Sequence, residues 1–157
     1  MGFFDGYDIA VSGMSAQRTR VNVTSANIAN AKTTHTEEGG PYKRQSVAFH
    51  DVLLHEKNKT NGTNDLRAPF AEENDKNQLA LRGVGVKSII EDDSAPVMRY
   101  EPSHPDANDE GYVAYPNINP VIEMINLLEA RRSYEANVTA FTTHKNIDVR
   151  TLDILKA

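Results

Sequence analysis

The chain has 157 residues, a formal net charge of -5, no cysteine and a mean hydropathy of -0.54. Its length suits one ordinary domain, or a small domain with long appendages. The acidic balance opposes binding to nucleic acid or to an anionic membrane surface, and without cysteine there is no disulfide framework or thiol metal site.

The first element is a helix that Asp5 can cap. Its apolar positions Tyr7, Met14, Val21 and Ile28 step by seven, with Val11 between them, which is the spacing of a coiled-coil seam. Gly13 interrupts it at a cost of about 1 kcal/mol relative to alanine. Together with Ser12, Ser15 and Ala16 it lets a neighbouring backbone come close. Lys32 suits a helix C-terminus, and Gly39-Gly40-Pro41 closes the segment.

The middle of the chain reads as β-rich. Strands are expected over 42–49, 84–91, 98–100 and 112–115. Between the first two lies a polar loop, 55–78, dominated by Lys, Asn, Thr, Asp and Glu. Residues 102–117 form a Pro- and Asp-rich connection to the last element.

That last element begins at Asn119-Pro120, an amide cap followed by proline at the first helical position. The following residues, 121–156, contain neither Gly nor Pro. A helix over them spans roughly 55 Å at about 1.5 Å per residue. Val121, Ile125, Leu128, Leu127, Tyr134, Val138, Phe141, Val149, Leu152 and Leu155 recur at three-, four- and seven-residue spacing. The fold class is therefore α+β: an N-terminal helical segment (1–33), a β-rich middle (34–118) with its polar loop, and a long C-terminal helix (119–157). The two helices are expected to pair as a coiled coil. Large apolar side chains are too few to offset the entropy of ordering both ends by themselves, so the termini are expected to order within an assembly.

Motifs for catalysis or ligand binding are weak. Asp106-Ala107-Asn108-Asp109-Glu110-Gly111 starts like a calcium loop, yet Asn117 stands where a bidentate Glu is needed and no helix precedes it. Gly83-Val84-Gly85 lacks the third glycine and following helix of a phosphate cradle. The five histidines are scattered, so neither metal nor cofactor is expected. An enzymatic reading would have Glu91, Asp92, Asp93 and Glu110 cut cell-wall polymer as a carboxylate pair does, but these acids sit in hydrophilic surroundings.

The run Ala26-Asn27-Ile28-Ala29-Asn30-Ala31 resembles the N-terminal signature of bacterial flagellar rod and hook proteins. Glu38-Gly39-Gly40-Pro41-Tyr42-Lys43-Arg44, Val97-Met98-Arg99-Tyr100-Glu101-Pro102, His104-Pro105-Asp106-Ala107, Gly111-Tyr112-Val113 and Tyr115-Pro116-Asn117-Ile118-Asn119 resemble the proximal-rod family of the basal body. Glu123-Met124 and Ala130-Arg131-Arg132-Ser133-Tyr134-Glu135-Ala136-Asn137 look like its C-terminal motif. The loop 55–78, Pro120 and residues 144–147 depart from the family pattern.

The resemblance implies a structural, non-enzymatic subunit of the rod that crosses the periplasm. Its expected partners are copies of itself, sibling rod proteins and the flagellar type III export apparatus, with export lacking a cleaved leader and no direct membrane insertion. The segment Met1-Gly2-Phe3-Phe4-Asp5 lacks the basic region of such a leader, and no long apolar run succeeds it. The expected assembly interface comprises Tyr7, Val11, Met14, Val21, Asn27, Ile28, Asn30, Leu127, Leu128, Arg132, Tyr134, Asn137, Val138, Phe141 and Leu152. Asn27, Asn30 and Asn137 border the seams, where a buried Asn can fix register. Another axial subunit or a coiled-coil export adaptor is the remaining alternative.

Overall fold

The computed structural model describes residues 5–54 and 81–156, with side chains up to residue 154. The expected polar loop 55–78 lies outside these residues. The fold is α+β, with helices α1 (Asp5–Ala29) and α2 (Pro120–Lys156) at the two ends. Between them lie strands β1 (Gln45–Leu53), β2 (Arg82–Glu91), β3 (Val97–Tyr100) and β4 (Tyr112–Tyr115).

The start of α2 and the end of α1 have local causes. The Asn119 side-chain oxygen accepts the Val121 amide at 3.0 Å, so the Asn-Pro pair caps α2 as its chemistry directs. At the other end of α1, Asn30 turns the chain. Its side-chain amide donates to the Ala26 carbonyl at 3.0 Å, and its oxygen accepts the Thr33 hydroxyl at 3.1 Å. The helix thus ends at Ala29, short of the boundary expected at 33, and Tyr42 N returns to the Thr33 carbonyl at 3.1 Å.

The helices run antiparallel along each other. Tyr7 meets Phe141 edge-on with ring centroids 5.0 Å apart, Arg20 reaches Glu129 at 3.4 Å, and Asn27 reaches Glu123 at 3.0 Å. Partner numbers on α2 fall as those on α1 rise. The buried positions of α1 are Ala10, Gly13, Ala16, Val23, Thr24 and Asn27, mostly small side chains. The heptad residues Tyr7, Met14, Val21 and Ile28 are only half-buried. A Cβ on Gly13 would lie 2.8 Å from the Asn137 side chain, so the absent side chain lets α2 approach, as the sequence suggests at that position.

β1 and β2 pair antiparallel from Gln45↔Glu91 to Leu53↔Arg82. Ala48 pairs with Ser88 and Phe49 with Val86, leaving Lys87 as the extra residue of a bulge that twists the ribbon. The ribbon lies against α1: the Val84 amide donates to the Ser12 hydroxyl at 3.2 Å. β3 and β4 form a second antiparallel pair, Val97↔Tyr115 to Tyr100↔Tyr112. Gly111, at φ +82, makes the left-handed turn into β4 that a side chain would strain. A two-stranded ribbon is marginal on its own, so each ribbon depends on its neighbours, and Val113 is fully buried in the second.

Candidate functional site

Three segments far apart in sequence converge on one polar cluster. Glu123, in the first turn of α2, has a side chain only 2% exposed. Its Oε1 accepts two bonds from the Arg44 guanidinium, from Nε at 3.0 Å and Nη2 at 2.8 Å. The Asn126 amide donates to the same oxygen at 3.2 Å. Oε2 accepts from the Asn27 amide at 3.0 Å. Charge-assisted bonds of this kind are about twice as strong as neutral ones, and they meet most of the carboxylate's accepting capacity.

Asn27, 1% exposed, serves the other side of the cluster. Its amide donates to the Gln45 carbonyl at 2.8 Å while its oxygen accepts the Gln45 amide at 2.9 Å. The side chain imitates a strand partner for the first residue of β1. The Tyr42 hydroxyl also donates to that oxygen, at 3.2 Å. Burial, together with the carboxylates of Glu91 and Glu123, pushes the Tyr42 hydroxyl above its ordinary value. One asparagine therefore ties the end of α1 to the start of β1 and to the first turns of α2.

A second polar contact closes the far end of the helix pair. The Tyr7 hydroxyl donates to Asp148 at 2.6 Å, and that bond raises the phenol above its ordinary value. His144 packs over Gly6, where a Cβ would come within 2.8 Å of the imidazole.

Of the expected interface residues, Asn27 is fully buried and makes its bonds within the chain. Tyr7, Met14, Val21, Ile28, Asn30, Leu127, Asn137, Val138 and Phe141 are half-buried, whereas Val11, Leu128, Arg132, Tyr134 and Leu152 are exposed. Tyr7 and Phe141 are brought together; Val21 and Tyr134 line one groove with Arg18, Arg131 and Glu135. Leu152 lies about one turn beyond Asp148, the residue that bonds to Tyr7 of α1. The sequence reading did not single out Glu123 or Arg44 as a site. Its available signal was a lone carboxylate inside an otherwise apolar run, Val121 to Ile125.

The outer face of α2 is apolar where it begins. Glu123 and Ala130, both buried, point towards the rest of the chain, while Val121, Met124, Ile125 and Leu128 are 64%, 56%, 54% and 50% exposed. At 3.6 residues per turn these four form one stripe roughly opposite Glu123 and Ala130. Exposed apolar stripes of this kind mark interaction surfaces. The acids Glu91, Asp92, Asp93 and Glu110 are all exposed, and among the described residues no cluster of three His, Asp or Glu could hold a metal ion. Among the same residues no helix is long and apolar enough to cross a membrane.

Comparison with known proteins gives a consistent answer at both ends and along the whole chain. Residues 8–34 match the family described as "Flagella basal body rod protein". Residues 109–154 match "Flagellar basal body rod FlgEFG protein C-terminal". The chain is similar to the flagellar basal-body rod protein FlgC of Borreliella burgdorferi, at 38% identity over 99% of each chain. It is likewise similar to that of Bacillus subtilis, at 38% over 99% of this chain and 100% of the other. With the Escherichia coli O157:H7 protein the identity is 35% over 98% of each.

Proposed function

The chain belongs to the family of flagellar basal-body rod proteins FlgC, and from that membership we propose that it polymerises helically through its terminal helices into the proximal part of the rod. It is a structural protein of the basal body and not an enzyme. In the proposed assembly α1 and α2 pair as an axial coiled coil, and sibling rod proteins continue the array. Export proceeds through the flagellar type III apparatus, and the rod crosses the periplasm.

The observation that carries this reading is the exposed stripe Val121, Met124, Ile125 and Leu128. It lies on the side of α2 away from the Glu123 cluster, so folding of one chain leaves it in water. Fully burying such side chains is worth about 1.5–3 kcal/mol each, which favours subunit association. A contact between different faces of identical subunits that does not close into a ring generates a helix.

The test is an Ile125→Asp, Leu128→Asp double variant as the sole copy of this chain in a flagellated cell. Both positions are half-exposed in the single chain, so the variant is expected to fold, to remain unassembled and to leave the cell non-motile. Motile cells with normal basal bodies would overturn the reading. Phe141→Asp is a less specific probe, because Phe141 also packs on Tyr7 within the chain.

A further inference from the structure

A second feature of the helix pair specifies one subunit contact. Arg18 and Val21 of α1 and Arg131, Tyr134 and Glu135 of α2 line a groove of about 340 Å³. Each helix lends it one apolar side chain, Val21 or Tyr134, and one guanidinium, Arg18 or Arg131. Arg131 has Glu135 at 3.7 Å with both side chains 66% exposed, a weak surface pair. Among the described residues no ion-pair partner of Arg18 is seen. The chain's own sheet lies on another side of α1: Val23 and Thr24 share a cavity with Ser46, Val47 and Phe49 of β1. Val21 is two residues from Val23, about 200° around the helix.

The complementary surface is the end of β2. Ile89 and Ile90 are 49% and 51% exposed, and the chain continues into Glu91, Asp92 and Asp93, all exposed. Asp93 is engaged by Lys43 at 3.0 Å. No ion pair engages Glu91 or Asp92 among the described residues, and the two alternate in direction along the extended chain. This strand end therefore offers an isoleucine and a carboxylate on each face, Ile89 with Glu91 and Ile90 with Asp92. The groove offers an apolar side chain and a guanidinium on each wall, Val21 with Arg18 and Tyr134 with Arg131.

We propose that the groove between Arg18, Val21, Arg131 and Tyr134 receives the β2 end of a second copy of this chain. One isoleucine then lies against each wall, beside Val21 or Tyr134, and Glu91 and Asp92 face the two guanidiniums. Because β2 packs on the other side of its own α1, the contact joins different faces of different copies, the head-to-tail arrangement that propagates a helix. This deepens the rod reading and rests on it. Charge complementarity fixes the orientation and steers encounter, while burial of the isoleucines holds the contact.

The chain has no cysteine, so single introduced thiols report on one contact. Val21→Cys and Ile90→Cys chains carrying different tags are produced in one cell, and its basal bodies are isolated and oxidised. A disulfide between the two tagged copies is expected, with none when Ile90→Cys is replaced by Ser103→Cys as the partner. Introducing Arg18→Glu with Arg131→Glu into the Val21→Cys chain should abolish the cross-link, and Glu91→Lys with Asp92→Lys in the Ile90→Cys chain should restore it. Basal bodies that contain both tagged chains but no cross-link would overturn the proposal and leave the rod reading standing. A cross-link of equal yield in the Ser103→Cys control, or one only to another rod protein, would also overturn it. Absence of both chains from basal bodies would overturn the proposal and the rod reading together.

Discussion

Arg44→Leu tests whether the Glu123 cluster holds the three segments together. The substitution leaves Oε1 with only the Asn126 amide at 3.2 Å and Oε2 with Asn27 at 3.0 Å. Removing one partner of a buried ion pair costs about 3–5 kcal/mol. Arg44 is itself 31% exposed, which screens the pair and places the expected loss at the low end, about 3 kcal/mol.

Urea unfolding followed by far-ultraviolet circular dichroism measures the loss; about 3 kcal/mol corresponds to a midpoint lower by roughly 1–3 M. Glu123→Gln removes the charge from the other side. It should cost less, about 1–2 kcal/mol, because the partly exposed guanidinium can turn to water. A loss below about 1 kcal/mol for Arg44→Leu at pH 7 would refute the reasoning.

Asn27→Asp should destabilise more than Asn27→Ala, although it is the closer match in shape. It withdraws the donor to the Gln45 carbonyl and sets a second carboxylate beside Glu123 Oε2, whereas Ala costs about 1–3 kcal/mol of unsatisfied partners; urea midpoints rank the two. Gly13→Leu should part the helices, because its Cβ would already meet Asn137 at 2.8 Å, and limited proteolysis would then cut inside α1. Tyr7 and Tyr42 have raised folded values, so their contribution is fully present below about pH 10 and is lost as pH rises through those higher values. A circular-dichroism titration from pH 8 to 12 should show weakened helix pairing, and Tyr7→Phe should remove the Tyr7 share of it. In an isolated chain, amide exchange should be slowest around Asn27, Gln45 and Glu123 and quicken towards both outer helix ends; uniform protection to residue 150 in a verified monomer would contradict dependence on assembly.

Elements with local causes were legible in the sequence. Asn119 and Pro120 start α2 because an amide cap and a fixed φ act within one turn, and Gly13 announced a close approach because only the missing side chain was required. The cluster at Glu123 was not legible in the same way. Its bonds join residues 79 and 96 positions apart, and periodicity carries no information on such a pairing. This also moved the expected first strand. Residues 42–44 have alternating character, but Tyr42 and Arg44 turn their side chains into the cluster, and the ladder starts at Gln45. The heptad in α1 does not coincide with the buried face of the helix: Met14, Val21 and Ile28 are half-buried beside it, because the small residues Ala10, Gly13 and Ala16 permit a closer approach.

That displacement of the large residues has a consequence for assembly. Had Met14 and Val21 filled the interior of the helix pair, pairing would have consumed the apolar surface that association between copies requires. Small residues and polar bonds hold the pair together instead, through Asn27 and Glu123 at one end and Tyr7 and Asp148 at the other. Hydrogen bonds are directional and specify one alignment, while each adds only about 0.5–1.5 kcal/mol net. The pairing is thereby defined in register and modest in strength. The large side chains on the flank of α1 and the outer face of α2 stay available for contacts that many copies make at once. A chain built this way is expected to gain most of its terminal order on joining neighbours, since the apolar area left in water by one chain is the area that its neighbours bury.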